Sequence, residues 1–135
     1  MILVTPELRV ILRANAEASL AARAADQPAL EPLPVLKLFN PVGAATWIVT
    51  ELYEDGDTLF GLADLGFGCP ELGVFSLAEI ASLRLPFGLR IERDLDFVTQ
   101  YPISAWTVMA IESGSILAAE RRLRRLANEF PSSGG

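Results

Sequence analysis

Residues 44–65 read AATWIVTELYEDGDTLFGLADL, and the fold follows from how this stretch is read. Asp55-Gly56 divides two runs rich in β-branched and aromatic residues. An Asp-Gly pair accepts the positive φ angles of a type I′ turn, the commonest two-residue hairpin connection. The spacing predicts a hairpin in which Glu54 faces Asp57, and that pairing sets the register along both strands. Leu52 then lies opposite Leu59, Ile48 opposite Ala63, and Thr46 opposite Leu65 on one face. The other face pairs Tyr53 with Thr58, Glu51 with Phe60, Val49 with Leu62 and Trp47 with Asp64.

Downstream, Ser76-Leu77-Ala78-Glu79 is a capping box, a serine N-cap with a glutamate three residues on, and predicts a short helix over residues 76–84. Residues 90–97 alternate with period two, as a half-buried strand does. Ile91, Arg93, Leu95 and Phe97 share one side; Arg90, Glu92, Asp94 and Asp96 share the other. Upstream, Thr5-Pro6-Glu7 opens a helix with threonine at N-cap, proline at N1 and an acid beside the positive helix end. Leu8, Ile11, Leu12 and Leu20 give it an apolar stripe, and alanines sustain it to about residue 25. Residues 26–34 (DQPALEPLP) hold three prolines and predict an extended connector into a strand over 35–39.

After Phe97 an apolar stretch surrounds Trp106 and Met109, and Ser113-Gly114-Ser115 breaks or caps it. A helix then runs over residues 116–130, with Ile116, Ala119, Leu123, Leu126 and Phe130 on one face and Glu120 set to pair with Arg124. Pro131 ends it, leaving a loose tail at 131–135. Together these elements predict one α+β domain over residues 1–135. Its small, mainly antiparallel sheet is flanked by an N-terminal helix, a short capped helix and a C-terminal helix.

Composition narrows the chemistry. The chain has 135 residues, no histidine and one cysteine, Cys69. That excludes a histidine-based triad, a histidine zinc site and an intrachain disulfide. No sequence feature calls for a cofactor, and there is no phosphate-loop signature. Cys69 has no base to activate it, and Glu71 nearby opposes thiolate formation. The charge is uneven. Residues 51–97 carry ten acids and three bases, net −7; residues 1–50 are balanced, and residues 98–135 carry net +1. An acidic middle argues against a nucleic-acid binder and suits a basic partner protein, a divalent cation or simple solubility. Pro6, Glu7, Arg9 and Arg13 interrupt any signal peptide. Residues 103–119 are short for a membrane span and include Glu112, so a buried helix or helix pair is expected and the chain reads as cytoplasmic.

Two constellations are candidate sites. Trp47, Glu51, Tyr53, Phe60 and Asp64, with Glu71 in the following loop, form an aromatic and acidic hairpin face that could serve as a ligand or partner cleft. The plainer alternative is a second core face whose acids pair with Arg84 or Arg93. Glu51 and Asp64 lie on the order of 13 Å apart by strand rise, too far to share a proton or a metal ion. Glu92, Asp94 and Asp96 form an acidic stripe that could bind a hard cation, or could be a solvated face that discourages edge pairing.

The runs Thr46–Glu51, Asp57–Leu62, Glu71–Glu79 and Gly88–Asp94, with Thr5-Pro6-Glu7-Leu8, Lys37 and Phe39, resemble the bacterial family of domain of unknown function 2958. The resemblance covers about residues 5–100; the segment over 101–130 reads as a helical extension. It implies a cytoplasmic bacterial protein of the kind carried on plasmids and integrative elements, with no catalytic residues to carry over. The function expected is therefore an accessory or regulatory module that binds another protein. A carboxylate-dependent enzyme built on Trp47, Glu51 and Asp64, with or without metal assistance, is the alternative. A nucleic-acid module using Arg121, Arg122, Arg124 and Arg125 is the second.

Overall fold

The computed structural model describes residues 1–129. Ten elements follow in order: α1 (Pro6–Ala24), β1 (Leu36–Phe39), β2 (Thr46–Leu52), β3 (Thr58–Asp64), β4 (Glu71–Ser76), α2 (Leu77–Ser82), a 3₁₀ turn (Pro86–Gly88), β5 (Glu92–Arg93), α3 (Ile103–Ser113) and α4 (Ile116–Glu129). The strands form one antiparallel sheet in the order β4-β3-β2-β1-β5. The fold is α+β, as expected. Helices cover both faces of the sheet. Leu12 of α1, Ile80 of α2, Leu3 and Val4 pack on Leu36, Leu38, Trp47, Val49, Leu52 and Leu59. On the opposite face Ile103, Trp106 and Ala110 of α3 and Ile116, Ala119 and Leu123 of α4 cover Ile48 and Leu62.

The helix starts are local chemistry. Thr5 Oγ1 accepts the amide of Leu8 at 3.2 Å with Pro6 in the first turn, and Ser76 Oγ accepts the amide of Glu79 at 3.2 Å. Gly114, at φ 84°, closes α3 and lets the chain reverse into α4, so the apolar run over 103–119 becomes a helical hairpin. Glu120 and Arg124 pair at 3.7 Å on α4. Among the described residues no helix is long and apolar enough to cross a membrane. Phe130 and the tail at 131–135 lie outside the described residues.

Four expectations are corrected. The hairpin turn is at Asp55-Gly56, but only Gly56 takes positive φ (73°), so it is not type I′. The Gly56 amide donates to the Tyr53 carbonyl, while the Asp55 carboxylate accepts the amides of Asp57 and Thr58 and the Thr58 hydroxyl. Those three bonds hold Asp55 out of the left-handed region, and the loop spans residues 54–57. Second, the register holds for Leu52 with Leu59 and Glu51 with Phe60, then slips by one at a bulge between Val49 and Glu51. Val49 therefore faces Gly61, Ile48 faces Leu62, Trp47 faces Ala63 and Thr46 faces Asp64. A β-carbon on Gly61 would lie 2.0 Å from the Ile48 carbonyl oxygen, so only glycine fits where the strands close up.

Third, the strand expected over 90–97 is only Glu92–Arg93; Asp94 then accepts the amide of Asp96 and the chain turns away. Fourth, the expected α1 stripe of Leu8, Ile11, Leu12 and Leu20 holds for Leu8 and Leu12, which pack on the core with Ala16 buried beside them, whereas Ile11 and Leu20 are exposed. Glu71, expected in the loop after the hairpin, instead opens the edge strand β4, and residues 72–75, for which no element is expected, complete most of it.

Candidate functional site

The bulge decides what happens to the aromatic and acidic hairpin face. Shifting β2 by one residue sends every side chain before the shift to the other side of the sheet relative to β3. Glu51 and Phe60 stay opposite each other and, with Tyr53, line small clefts of about 230 Å³ beside Ser19 and Arg23 of α1. Trp47 is buried in the α1-side core among Leu36, Leu38 and Val49. Asp64 lies on the opposite face. Its Oδ2 accepts the buried amide of Ile116, the first residue of α4, at 2.9 Å, and its Oδ1 accepts the Gly66 amide at 2.8 Å. It caps a helix packed on its own face of the sheet while Trp47 points to the other face, so the five residues do not form one surface.

Glu51 is 8% exposed. Burial pushes its carboxyl above the ordinary value of 4.5, while the Ser19 hydroxyl and the Arg23 charge pull it back. Asp55 is shifted the other way, first by the Thr58 hydroxyl and then by the Thr58 and Asp57 amides. The acidic stripe is dispersed as well. Asp94 lies 3.5 Å from Lys37, Glu92 pairs into the sheet beside Phe39, and Asp96 sits on the loop beyond. Among the described residues no group of three acids or cysteines is arranged to hold a metal ion. Of the four α4 arginines, Arg122 engages Glu112 and Ser113, and Arg124 engages Glu120.

What remains is a groove the sequence reading anticipated only through Trp47 and Glu71. It runs along β4 beside α2, has a volume of about 360 Å³, and is lined by Trp47, Ala63, Glu71, Gly73, Glu79 and Ile80 among others. Gly73 sits on the strand beside it, and a β-carbon there would meet nothing within 4 Å. Among the described residues, the outer edge of β4 carries no further strand in the sheet. Periodicity misses β4 because Leu72, Val74 and Phe75 put apolar residues on both sides, and Gly73 interrupts the pattern.

A family model described as protein of unknown function, DUF2958, matches residues 3–117. The chain belongs to the DUF2958 family. The match reaches past the 5–100 region of resemblance, through α3 and two residues into α4, so α3 falls within the DUF2958 match and most of α4 follows it. No curated protein and no solved structure matches the chain. The β4 groove, with its floor from β2 and β3 and its wall from α2, lies wholly inside the DUF2958 match.

Proposed function

We propose that this chain is a non-catalytic accessory module that binds another protein, by adding an extended segment of that partner to the edge of β4. The observation that carries this is the undefended edge. Sheets guard their edges with short strands, lysines, prolines or bulges, because an open edge recruits other chains. The far edge, β5, is two residues long. β4 is six residues, Glu71-Leu72-Gly73-Val74-Phe75-Ser76, with no lysine or proline, and it pairs with β3 without a register shift. Leu72 and Val74 are 44% and 59% exposed. Strand addition takes affinity from main-chain hydrogen bonds and specificity from pockets for alternate side chains. The groove beside α2 supplies such a pocket.

Charge selects the occupant. The groove is lined by Glu71 and Glu79 and by no lysine or arginine. A second copy would bring two segments of net −7 together, and like charges across an interface cost affinity. A segment alternating apolar residues with lysine or arginine meets both the pocket and the charge.

Random extended peptides displayed on phage test this. Selection against the full chain enriches alternating apolar and basic sequences. Gly73→Leu, which fills the groove from a position with open space around it, weakens the selected peptides at least about tenfold by fluorescence anisotropy, as losing a well-packed anchor does. Glu71→Lys weakens them and flattens the salt dependence. Enriched peptides that bind Gly73→Leu equally well overturn the proposal. So does self-association in sedimentation that Gly73→Leu abolishes, which assigns the edge to a second copy.

A further inference from the structure

A second cleft lies on the other side of the sheet from the β4 groove. It has a volume of about 660 Å³, between the loop after β5 and the α4 helix, within the range of small-molecule pockets. Three aromatic residues line it: Phe97, Tyr101 and Trp106. The Phe97 and Trp106 rings are 6.0 Å apart and tilted by 53°, and the indole N–H donates to Thr99 Oγ1 at 3.1 Å. The indole's one donor is therefore satisfied within the wall, and because Trp106 is only 3% exposed, the apolar and π surface open to a ligand comes chiefly from the half-buried Phe97 and Tyr101, which Trp106 backs.

The sign of the ligand follows from the charges around the cleft. Lys37, buried beneath it, donates to both Glu120 oxygens at 2.9 Å and lies 3.5 Å from Asp94. Arg124 lies 3.7 Å from Glu120. These two cations and two carboxylates cancel. Asp96 also lines the cleft and makes no ion pair among the described residues. The cleft thus combines aromatic walls with one uncompensated negative charge. Ring faces attract cations and repel anions, so both features favour the same ligand.

We infer that this cleft binds a small organic cation, a protonated amine or amidine carried on an aromatic or aliphatic body. The body packs against Phe97, Tyr101 and Trp106, and the charged end meets Asp96. The site is separate from the β4 edge.

The test uses the full chain labelled with ¹⁵N, in which the two tryptophan indole signals report on opposite faces of the sheet. Benzamidinium is the probe, with benzamide and benzoate as neutral and anionic counterparts of the same shape. Benzamidinium shifts the Trp106 signal saturably and leaves Trp47 unmoved, while benzamide binds more weakly and benzoate does not bind. Asp96→Asn weakens benzamidinium by up to roughly fivefold, the upper end for an ion pair at an exposed carboxylate. Ala127→Phe, on the exposed rim of α4, fills the cleft and abolishes the shift, whereas Gly73→Leu leaves it intact. No saturable shift at Trp106, equal binding of benzamide, or an Asp96→Asn variant that binds like the parent each overturns the inference.

Discussion

Glu51 holds a carboxylate where water scarcely reaches, across from Phe60 on the hairpin. Its folded pKa is raised above 4.5, chiefly by burial, so between 4.5 and that raised value the folded chain binds the proton more tightly than the unfolded chain does. Stability therefore rises as pH falls through the folded pKa towards 4.5, and at neutral pH the ionised group weakens the fold. Asp55 has the opposite sign. Its pKa is lowered, so its contribution is present above 3.8 and fades as pH falls through the folded value. Glu51→Gln should unfold at higher urea than the parent at pH 7 and lose the part of the pH slope that lies above 4.5. A variant with an unchanged slope in that window would mean that burial does not govern Glu51. Glu51 was legible as an acid opposite an aromatic ring because the pairing next to the turn is set by the turn itself. Asp64 was not legible as a cap, because its acceptor role depends on the Ile116 amide, 52 positions away.

The α3–α4 hairpin is the cover of one sheet face. The apolar run over 103–119 and the glycine at 114 made two helices readable in advance, since a left-handed cap is a local demand. Which sheet residues they cover was not readable, because the bulge exchanges the faces of β2. In the observed register Ile48 faces Leu62, and both are fully buried under α3 and α4. Truncation after Gln100 uncovers them, along with the apolar side chains that flank them. The shortened chain should aggregate at concentrations where the full chain is monodisperse, with a melting temperature lower by several degrees or more. Equal solubility and equal heat stability would show that the hairpin does not hold the sheet. The strand expected over 90–97 failed at the same scale. Asp94 accepts the Asp96 amide and so ends the ladder, a competition between side chain and strand that alternation alone does not register.

Across the whole molecule, Lys37 joins three parts of the chain that are far apart in sequence. It rises from β1, faces the same side as Ile48, and meets Glu120 of α4 and Asp94 of the segment after β5. Its side chain is largely buried, and removing one member of a buried ionic group leaves the others uncompensated. Lys37→Met should therefore destabilise the chain by about 3 kcal/mol in chemical denaturation, because two carboxylates lose their shared partner. Lys37→Met with Glu120→Leu should recover most of that loss, since an apolar pair of similar volume replaces the ionic one. A cost below about 1 kcal/mol for the single change would place the group among surface pairs.

The sequence by itself determined what is settled locally along the chain or by composition. Local chemistry covers the Thr5 and Ser76 caps, the turn position at Asp55-Gly56 and the break at Gly114, where donor and acceptor, or glycine and its φ, are neighbours along the chain. The Glu51–Phe60 pairing follows from that turn, the exclusion of histidine chemistry from composition, and the α+β class from the pattern of elements. Only the tertiary structure decided the bulge, the edge position of β4, the burial of Trp47, the cap at Asp64 and the Lys37 ion group. These depend on competition for burial and for hydrogen bonds between segments distant in sequence. A shift of one residue in β2 was enough to divide the proposed aromatic and acidic face between the two sides of the sheet, since neighbouring side chains on a strand point in opposite directions.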